Sequence, residues 1–205
     1  MAEFWNSGLT QRSWETLTKL PKQGIRFILI GGWATYLLTR INKSRDIDIV
    51  LSSVQELDVL KGKHALSKND TLKKYQIKID DVEIDIYAPY YSKLSIPCED
   101  LPKYTQRSEG FTLPKPEAMV ILKQQAELER SASPKGLKDR IDIMSLLLYS
   151  AVDFQAYYGL TEKYGLKDYP ARLKQIVNTF GEGQYLNLNP RELKVRKREV
   201  LSRLK

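Results

Sequence analysis

A pair of glycines followed thirteen residues later by two aspartates constrains this chain more than any other feature. Gly31 and Gly32 end the apolar run 27–30, and the aspartates belong to the segment Asp46-Ile47-Asp48. The pattern predicts a buried strand, a short helix that begins at the glycines, a loop and a second strand. Residues at positions i and i+2 of a strand point to the same face, so the two carboxylates are expected side by side.

Glycines and carboxylates in this order suit phosphate chemistry with a divalent cation. Glycines that open a helix expose backbone N–H groups and the positive helix end, both of which attract phosphate. Two carboxylates at the edge of an apolar core are costly unless a cation or hydrogen-bond donors compensate them. The alternative to a metal site is a surface ion pair of the aspartates with Lys43 or Arg45.

A third carboxylate favours the metal site over the ion pair. The segment VEIDIY, residues 82–87, alternates apolar and polar residues and has Asp85 on its polar face. It is predicted to be the second strand of a hairpin that turns at Asp80-Asp81. Alone, Asp85 would be an ordinary outward-facing polar residue. If its strand lies beside the strand of Asp46 and Asp48, three carboxylates converge.

Composition narrows the remaining possibilities. A chain of 205 residues that is 42% hydrophobic can bury a substantial core. The single cysteine, Cys98, excludes an intramolecular disulfide framework, and no signal-peptide or membrane-length apolar run is visible, so we expect a cytoplasmic protein without membrane association. The single histidine, His64, excludes metal sites built from several histidines. Carboxylates are therefore the default ligands, and Mg²⁺ or Mn²⁺ is the expected metal.

The chain is expected to divide into an α/β half, residues 1–113, and an all-helical half, residues 114–205. In the first half, residues 88–113 are rich in Pro, Tyr and Ser and are predicted to be a linker or active-site loop. A capping box, Ser53 with Glu56, predicts a helix from residue 53 to about 66. Helices are predicted at 13–20 and 32–39 in the first half and at 117–130, 137–149, 152–163, 168–179 and 191–204 in the second.

The arrangement of Gly31-Gly32, Asp46-Ile47-Asp48 and a later strand aspartate, Asp85, resembles the signature of the DNA polymerase beta-like nucleotidyltransferase superfamily. The second half resembles the helical segment of the AbiEii-type branch, which includes toxins of toxin–antitoxin systems. The matching residues there are Pro116-Glu117, Lys123, Ala126, Arg130, Lys138-Asp139 and Asp142. For Lys123 and Arg130 a solvated polar helix face is the simpler alternative.

The resemblance implies a nucleotidyltransferase fold, with a small mixed β-sheet flanked by helices and followed by a helical bundle. It implies two Mg²⁺ ions that bridge Asp46 and Asp48 to an NTP, with Asp85 sharing one metal and helping to deprotonate the acceptor hydroxyl. The glycines and the following helix N-terminus would hold phosphate oxygens. The nucleotide-binding candidates are Gly31, Gly32, Trp33, Lys123, Arg130, Lys138 and Asp139.

Two classes of function follow from these implications. The first is an enzyme that moves a nucleotide from an NTP to a hydroxyl of an RNA 3′ end, such as that of a tRNA, of a protein or of a small molecule. It would act as part of a toxin–antitoxin pair with an antitoxin protein as partner. The second is a catalytically inactive module that binds nucleotide, nucleic acid or a partner protein. The intact set of three aspartates favours the enzyme.

The basic C-terminal segment has two interpretations. The net charge is +8, and the last sixteen residues hold seven basic and two acidic residues. An RNA-binding role is one interpretation, because phosphate attraction is generic. The other is a packing helix in which Leu193, Val200 and Leu204, at helical spacing, dock on the helical half while the charges face solvent.

Overall fold

The computed structural model describes residues 8–204, which form two compact units that divide between Pro114 and Lys115. The first unit is an α/β structure and the second consists of helices. The predicted fold class, a small mixed sheet with helices followed by a helical part, is confirmed at this level. The functional assignment of the two units stays a prediction. No helix within the described residues combines the length and the apolar character needed to cross a bilayer.

The first unit is built on a five-stranded sheet in the order β1-β2-β5-β4-β3. Strands β2 and β5 are parallel, and the other neighbours are antiparallel. A separate two-stranded hairpin, β6-β7, follows in the chain. The bounds are α1 Gly8–Lys19, β1 Phe27–Ile30, α2 Gly31–Thr39, β2 Ile47–Leu51, α3 Glu56–Lys61, β3 Ser67–Asn69, β4 Lys74–Ile79, β5 Val82–Tyr87, β6 Thr105–Ser108 and β7 Phe111–Pro114.

The alternation of the central strands explains how one sheet face is apolar while the other holds polar groups. In β5, Val82, Ile84 and Ile86 are buried, whereas Asp85 between them is half-buried. In β2, Ile47 and Ile49 are buried and lie opposite Ile84 and Ile86. Burial of these branched side chains sets the register, because a slip by one residue would turn every side chain to the other face. Asp48 and Asp85 therefore share the opposite, more polar face.

Helices α1 and α2 are joined through a buried tryptophan. The Nε1 of Trp33 donates a hydrogen bond to the hydroxyl of Ser13 at 2.8 Å. The rings of Trp14 and Trp33 lie 5.0 Å apart, and Trp33 is almost fully buried. The indole thus satisfies its polar group inside the core and fixes α2 against α1.

Two predictions for the first unit are wrong. The capping box at Ser53 is absent: α3 begins at Glu56, whose buried carboxylate accepts a hydrogen bond from the Nε of Arg26 at 2.9 Å. The segment 88–113 is not simply a loop, since it contains a 3-10 turn, Leu101–Tyr104, and β6 with the start of β7. The hairpin turns at Glu109-Gly110, where both residues have positive φ, as a type I′ turn requires.

The second unit contains five α-helices and a 3-10 turn, Gly183–Leu186, among its described residues. The α-helices are α4 Pro116–Arg130, α5 Pro134–Tyr149, α6 Phe154–Lys163, α7 Tyr169–Thr179 and α8 Pro190–Arg203. Helices α4 and α5 form a helical hairpin with a three-residue connection. Ser133 caps the N-terminus of α5, since its hydroxyl accepts a hydrogen bond from the N–H of Gly136. The predicted turn at 131–136 is therefore shorter than expected.

The C-terminal helix α8 packs on the helical unit. Leu193, Val200 and Leu204 are buried, as the packing interpretation requires. The ammonium of Lys197 donates hydrogen bonds to the carbonyls of Asn178 and Phe180 at the end of α7. This cation therefore caps a neighbouring helix and is not displayed for a ligand.

Truncation before Arg191 is expected to destabilise the protein. Three buried apolar side chains are lost, each worth roughly 1.5–3 kcal/mol, so the melting temperature should fall by at least about 5 °C. Differential scanning calorimetry measures the change. The control replaces the exposed cations Arg191, Lys194 and Arg198 by Gln and should leave the melting temperature unchanged. Equal melting temperatures for the truncated and full chains would contradict the packing role.

Candidate active site

Gly31 lies directly against the carboxylate of Asp48. Ile30, the last residue of β1, is the register partner of Asp48 in β2, and Gly31 follows it with a φ of +68°. A methyl group at Gly31 would lie 2.0 Å from an Oδ atom of Asp48, far inside van der Waals contact. Glycine is required here both for its positive φ and for the close approach. The predicted phosphate-binding and metal-binding elements are thus in contact.

Asp48 and Asp85 are direct neighbours across two parallel strands. They are register partners in the β2–β5 ladder, and both side chains are half-buried on the same sheet face. The predicted adjacency of the two strands is correct. Asp46 precedes β2 and is exposed. The candidate site therefore has one exposed carboxylate, that of Asp46, and two half-buried carboxylates, those of Asp48 and Asp85.

Asp85 is also bound by two polar side chains of β4. One of its carboxylate oxygens accepts from the ammonium of Lys74, and the other accepts from the Nε2 of Gln76 at 2.9 Å. Within residues 8–204, no three His, Cys, Asp or Glu side chains stand close enough together to hold a metal ion. The expected convergence of three carboxylates is therefore only partly realised, because Lys74 and Gln76 occupy the third.

The donor set nevertheless suits a hard divalent cation. Asp46 and Asp48 offer oxygen ligands, which Mg²⁺ and Mn²⁺ prefer, and Mg²⁺ commonly takes one or two protein carboxylates together with substrate phosphates. Helix α2 begins at Gly31 with no side chain capping it, so its first turn directs backbone N–H groups towards the Asp48 side. Trp33, a predicted nucleotide-binding residue, contributes its side chain to the core, which leaves only its backbone for such a role.

Three of the four candidates in the helical unit, Lys123, Arg130 and Asp139, belong to a network of ion pairs. Lys123 is buried, and its Nζ donates to Asp142 at 2.6 Å and lies 3.5 Å from Asp139. Arg130 binds Asp139 with two hydrogen bonds, of 2.7 and 3.0 Å, and Asp139 is fully buried. Lys138 is half-buried on α5. These contacts link α4 to α5, and a nucleotide-binding role for the four residues stays a prediction.

The sequence pattern did not predict the role of Glu127, a residue of α4 that binds two other helices. Its fully buried carboxylate is bound by Arg140 of α5 at 3.1 Å and by the Nε of Arg172 of α7 at 2.9 Å. One acidic side chain thereby fastens three helices. Removal of one partner from such a buried ion pair is strongly destabilising, because it leaves an uncompensated buried charge. The intact pair adds little net stability compared with well-packed apolar residues. Its partners lie 13 and 45 residues away, beyond what helical periodicity reveals.

Comparisons with known proteins identify the fold. No protein-family model matches the sequence, and no curated protein matches it. Among solved structures, JHP933 from Helicobacter pylori aligns with a TM-score of 0.50 at 16% identity over 97% of this chain and 94% of its own. A second H. pylori structure, classed provisionally as a nucleotidyltransferase, gives 0.52 at 16% identity over 97% of both chains.

A third structure, ANT(2")-Ia in complex with adenylyl-2"-tobramycin, aligns with a TM-score of 0.53 at 12% identity over 78% of this chain and 99% of its own. The chain has a nucleotidyltransferase fold. At these identities the likeness establishes the fold alone. The fold that the glycine and aspartate signature implied is confirmed, whereas the AbiEii-type branch stays a prediction.

Replacement of Lys74 by Met is expected to tighten metal binding. The ammonium competes with a cation for Asp85, and its removal makes the carboxylate cluster more negative, which should strengthen Mn²⁺ binding severalfold, on the order of 1 kcal/mol. Titration of Mn²⁺ followed by electron paramagnetic resonance, without nucleotide, measures this. The control is Lys78→Met, an exposed lysine on the same strand and face, whose register partner is Glu83. Unchanged affinity in Lys74→Met would show that the ion pair does not compete.

Proposed function

We propose that this protein is a metal-dependent nucleotidyltransferase that moves a nucleotide from an NTP to a hydroxyl acceptor. The observation that supports it is the contact of Gly31 with Asp48, which is itself paired with Asp85 on the same sheet face. The fold alone does not define a reaction, so the proposal rests on this local arrangement. Replacement of Gly31 would disturb the proposed phosphate-binding turn, and replacement of either aspartate would remove a candidate cation ligand.

Each residue has a distinct role in the proposed reaction. Asp46 and Asp48 would hold a divalent cation, which when bound neutralises charge on the triphosphate and at the reacting phosphorus. The backbone N–H groups of Gly31, Gly32 and Trp33 would donate to phosphate oxygens. Asp85 would accept the proton of the acceptor hydroxyl, and the hydrogen bond from Lys74 orients its carboxylate beforehand. Catalysis of this kind relies chiefly on positioning and electrostatics.

The acceptor and the biological setting are further parts of the proposal. An RNA 3′ end or a tRNA, a protein side chain and a small molecule all offer hydroxyl groups, and the complex of ANT(2")-Ia with an adenylylated aminoglycoside is one reason to test small acceptors. The resemblance of the helical half to AbiEii-type proteins supports a role in a cytoplasmic toxin–antitoxin pair with an antitoxin partner.

One observation favours the second candidate, a module that binds nucleotide, nucleic acid or a partner protein without catalysis. Asp85 is already engaged by Lys74 and Gln76, so no three-carboxylate group is preformed among the described residues. If this ion pair persisted when nucleotide was bound, the third carboxylate would be unavailable. The two candidates differ in whether label is transferred.

The test supplies the four α-labelled NTPs separately, with Mg²⁺, to the protein together with total RNA, total protein or an aminoglycoside. We expect label in one acceptor fraction, with one preferred NTP, and none in excess EDTA. Mg²⁺-dependent binding of an NTP without any labelled acceptor would favour the non-catalytic module. Transfer that persists in EDTA would contradict the metal-dependent mechanism.

A further inference from the structure

The basic charge of the α/β unit is concentrated in one short stretch. Residues 61–78 contain six lysines and a single acidic residue, Asp70. The stretch runs from the end of α3 through β3 and β4. Its excess of five positive charges equals that of the last sixteen residues, and because the net charge of the chain is +8, the remainder of the chain is slightly acidic. Helix α8 uses its apolar face for packing, whereas the stretch 61–78 forms the edge of a sheet.

Two tyrosines are set among these lysines. The rings of Tyr75 and Tyr91 lie 5.0 Å apart. The ammonium groups of Lys68 and Lys73 stand 4.9 and 5.5 Å from the centroid of the Tyr91 ring. We call Lys61, Lys68, Lys73, Tyr75 and Tyr91 the hairpin patch. Two cations held at one aromatic ring repel each other, so an anion between them is stabilised from both sides.

A groove and an exposed ring adjoin the hairpin patch. The groove has a volume of about 560 Å³ and is lined by Lys61, His64, Lys68 and Tyr75, among others. Tyr90, next in sequence to Tyr91, is 83% exposed and has a φ of +63°. A bulky side chain is unfavourable in this left-handed conformation, and such strain is concentrated at functional positions. A groove of this size accommodates a nucleotide and is too small for a folded partner.

We propose that the hairpin patch binds single-stranded nucleic acid, with lysines on the phosphates and tyrosine rings stacked on bases. Alternating cations and aromatic faces are the combination that single strands require, since bases inside a duplex offer no free face. The ion pair of Lys68 with Asp70 does not oppose this role. Both of its side chains are about half exposed or more, so the pair is weak and exchanges readily for a phosphate.

The hairpin patch and the candidate active site belong to the same unit but to opposite faces of the sheet. Lys74, between Lys73 and Tyr75 in the chain, contacts the carboxylate of Asp85. Tyr75 and its register partner Lys68 lie on the face of Ile86, so a strand bound there would have to pass the edge of the sheet at β3 to reach that carboxylate. That the bound strand supplies the acceptor hydroxyl rests on the proposed nucleotidyltransferase function. The binding itself does not.

Fluorescence anisotropy with a labelled oligouridine of about 12 nucleotides tests the surface on the full chain, in EDTA and without NTP. The patch variant replaces Lys61, Lys68 and Lys73 by Gln, and the matched control replaces Arg191, Lys194 and Arg198 by Gln. We expect the patch variant to lose at least about tenfold in affinity and to lower the slope of log K against log salt by about 2, with the control unchanged. Tyr90→Asn, which tolerates positive φ, should weaken binding at least about fivefold.

These outcomes separate the binding surface from the chemistry. Binding by the Asp48→Asn variant at wild-type affinity is expected, since no metal or transfer is involved. Loss of affinity only in the α8 control, equal binding of a duplex of the same length, or no binding at salt near 0.1 M would each overturn the proposal. Absence of transfer with intact oligouridine binding would instead count against the proposed function alone.

Discussion

Asp48→Asn is expected to abolish nucleotide transfer and leave the fold intact. The substitution keeps the shape beside Gly31 but removes a cation ligand, and loss of such charge stabilisation lowers turnover at least about a thousandfold. Asp48 is a neighbour of Asp85, so removal of one of two like charges should not lower the melting temperature. Single-turnover transfer with the preferred NTP and calorimetry give the two quantities.

The matched control for this prediction is Glu83→Gln. Glu83 lies on the same strand and face as Asp85 and is exposed. It does not pair with any residue of β2, so it is not a neighbour of Asp48. It should transfer at the wild-type rate. An Asp48→Asn protein that retains more than about a tenth of the wild-type rate would show that its carboxylate holds no essential cation.

Gly31→Ala should be nearly as severe for transfer and should also cost stability. The new methyl group would lie 2.0 Å from the Asp48 carboxylate at a φ of +68°, so either the aspartate or the start of α2 must move. We expect a loss of about a hundredfold in turnover, since small misplacements at a reacting centre have effects of this size. Destabilisation should be on the order of 1–3 kcal/mol.

Gly24→Ala separates the two causes. Gly24 has a similar φ, +79°, but a methyl group there meets nothing within 4 Å. It should lose stability from backbone strain and keep full turnover. If Gly31→Ala behaves as Gly24→Ala does, the close approach to Asp48 has no functional consequence, and the phosphate-cradle interpretation of the glycine is wrong.

The sequence predicted the features that depend on neighbouring residues. The β4–β5 hairpin at Asp80-Asp81 is confirmed because its alternating pattern and turn are local, and Asp80 adopts the positive φ of such a turn. The start of α2 at the glycines is confirmed for the same reason. The strand register also follows from the local pattern, because a slip by one residue would move the apolar side chains of a strand from the buried face to the exposed face.

Features that depend on distant partners were not predictable. Glu56 looks like a capping residue in sequence, but Arg26, thirty residues earlier, takes its carboxylate. Asp85 looks free to join a metal site, but Lys74 and Gln76 on the adjacent strand bind it first. The β6–β7 hairpin had a local signal, the Glu109-Gly110 turn, which the surrounding Pro and Tyr residues obscured.

The two ends of the five-stranded sheet have a consequence for how this protein behaves at high concentration. At one end β3 has only three residues, Ser67–Asn69, with a lysine at its centre. At the other end β1 lies against β7, and Phe27 and Phe111 approach each other there. Edge strands that are short, charged or covered by another element discourage β-sheet pairing between two molecules of the protein. Changes that lengthen β3 or replace Lys68 by an apolar residue would therefore favour intermolecular sheet growth over solubility.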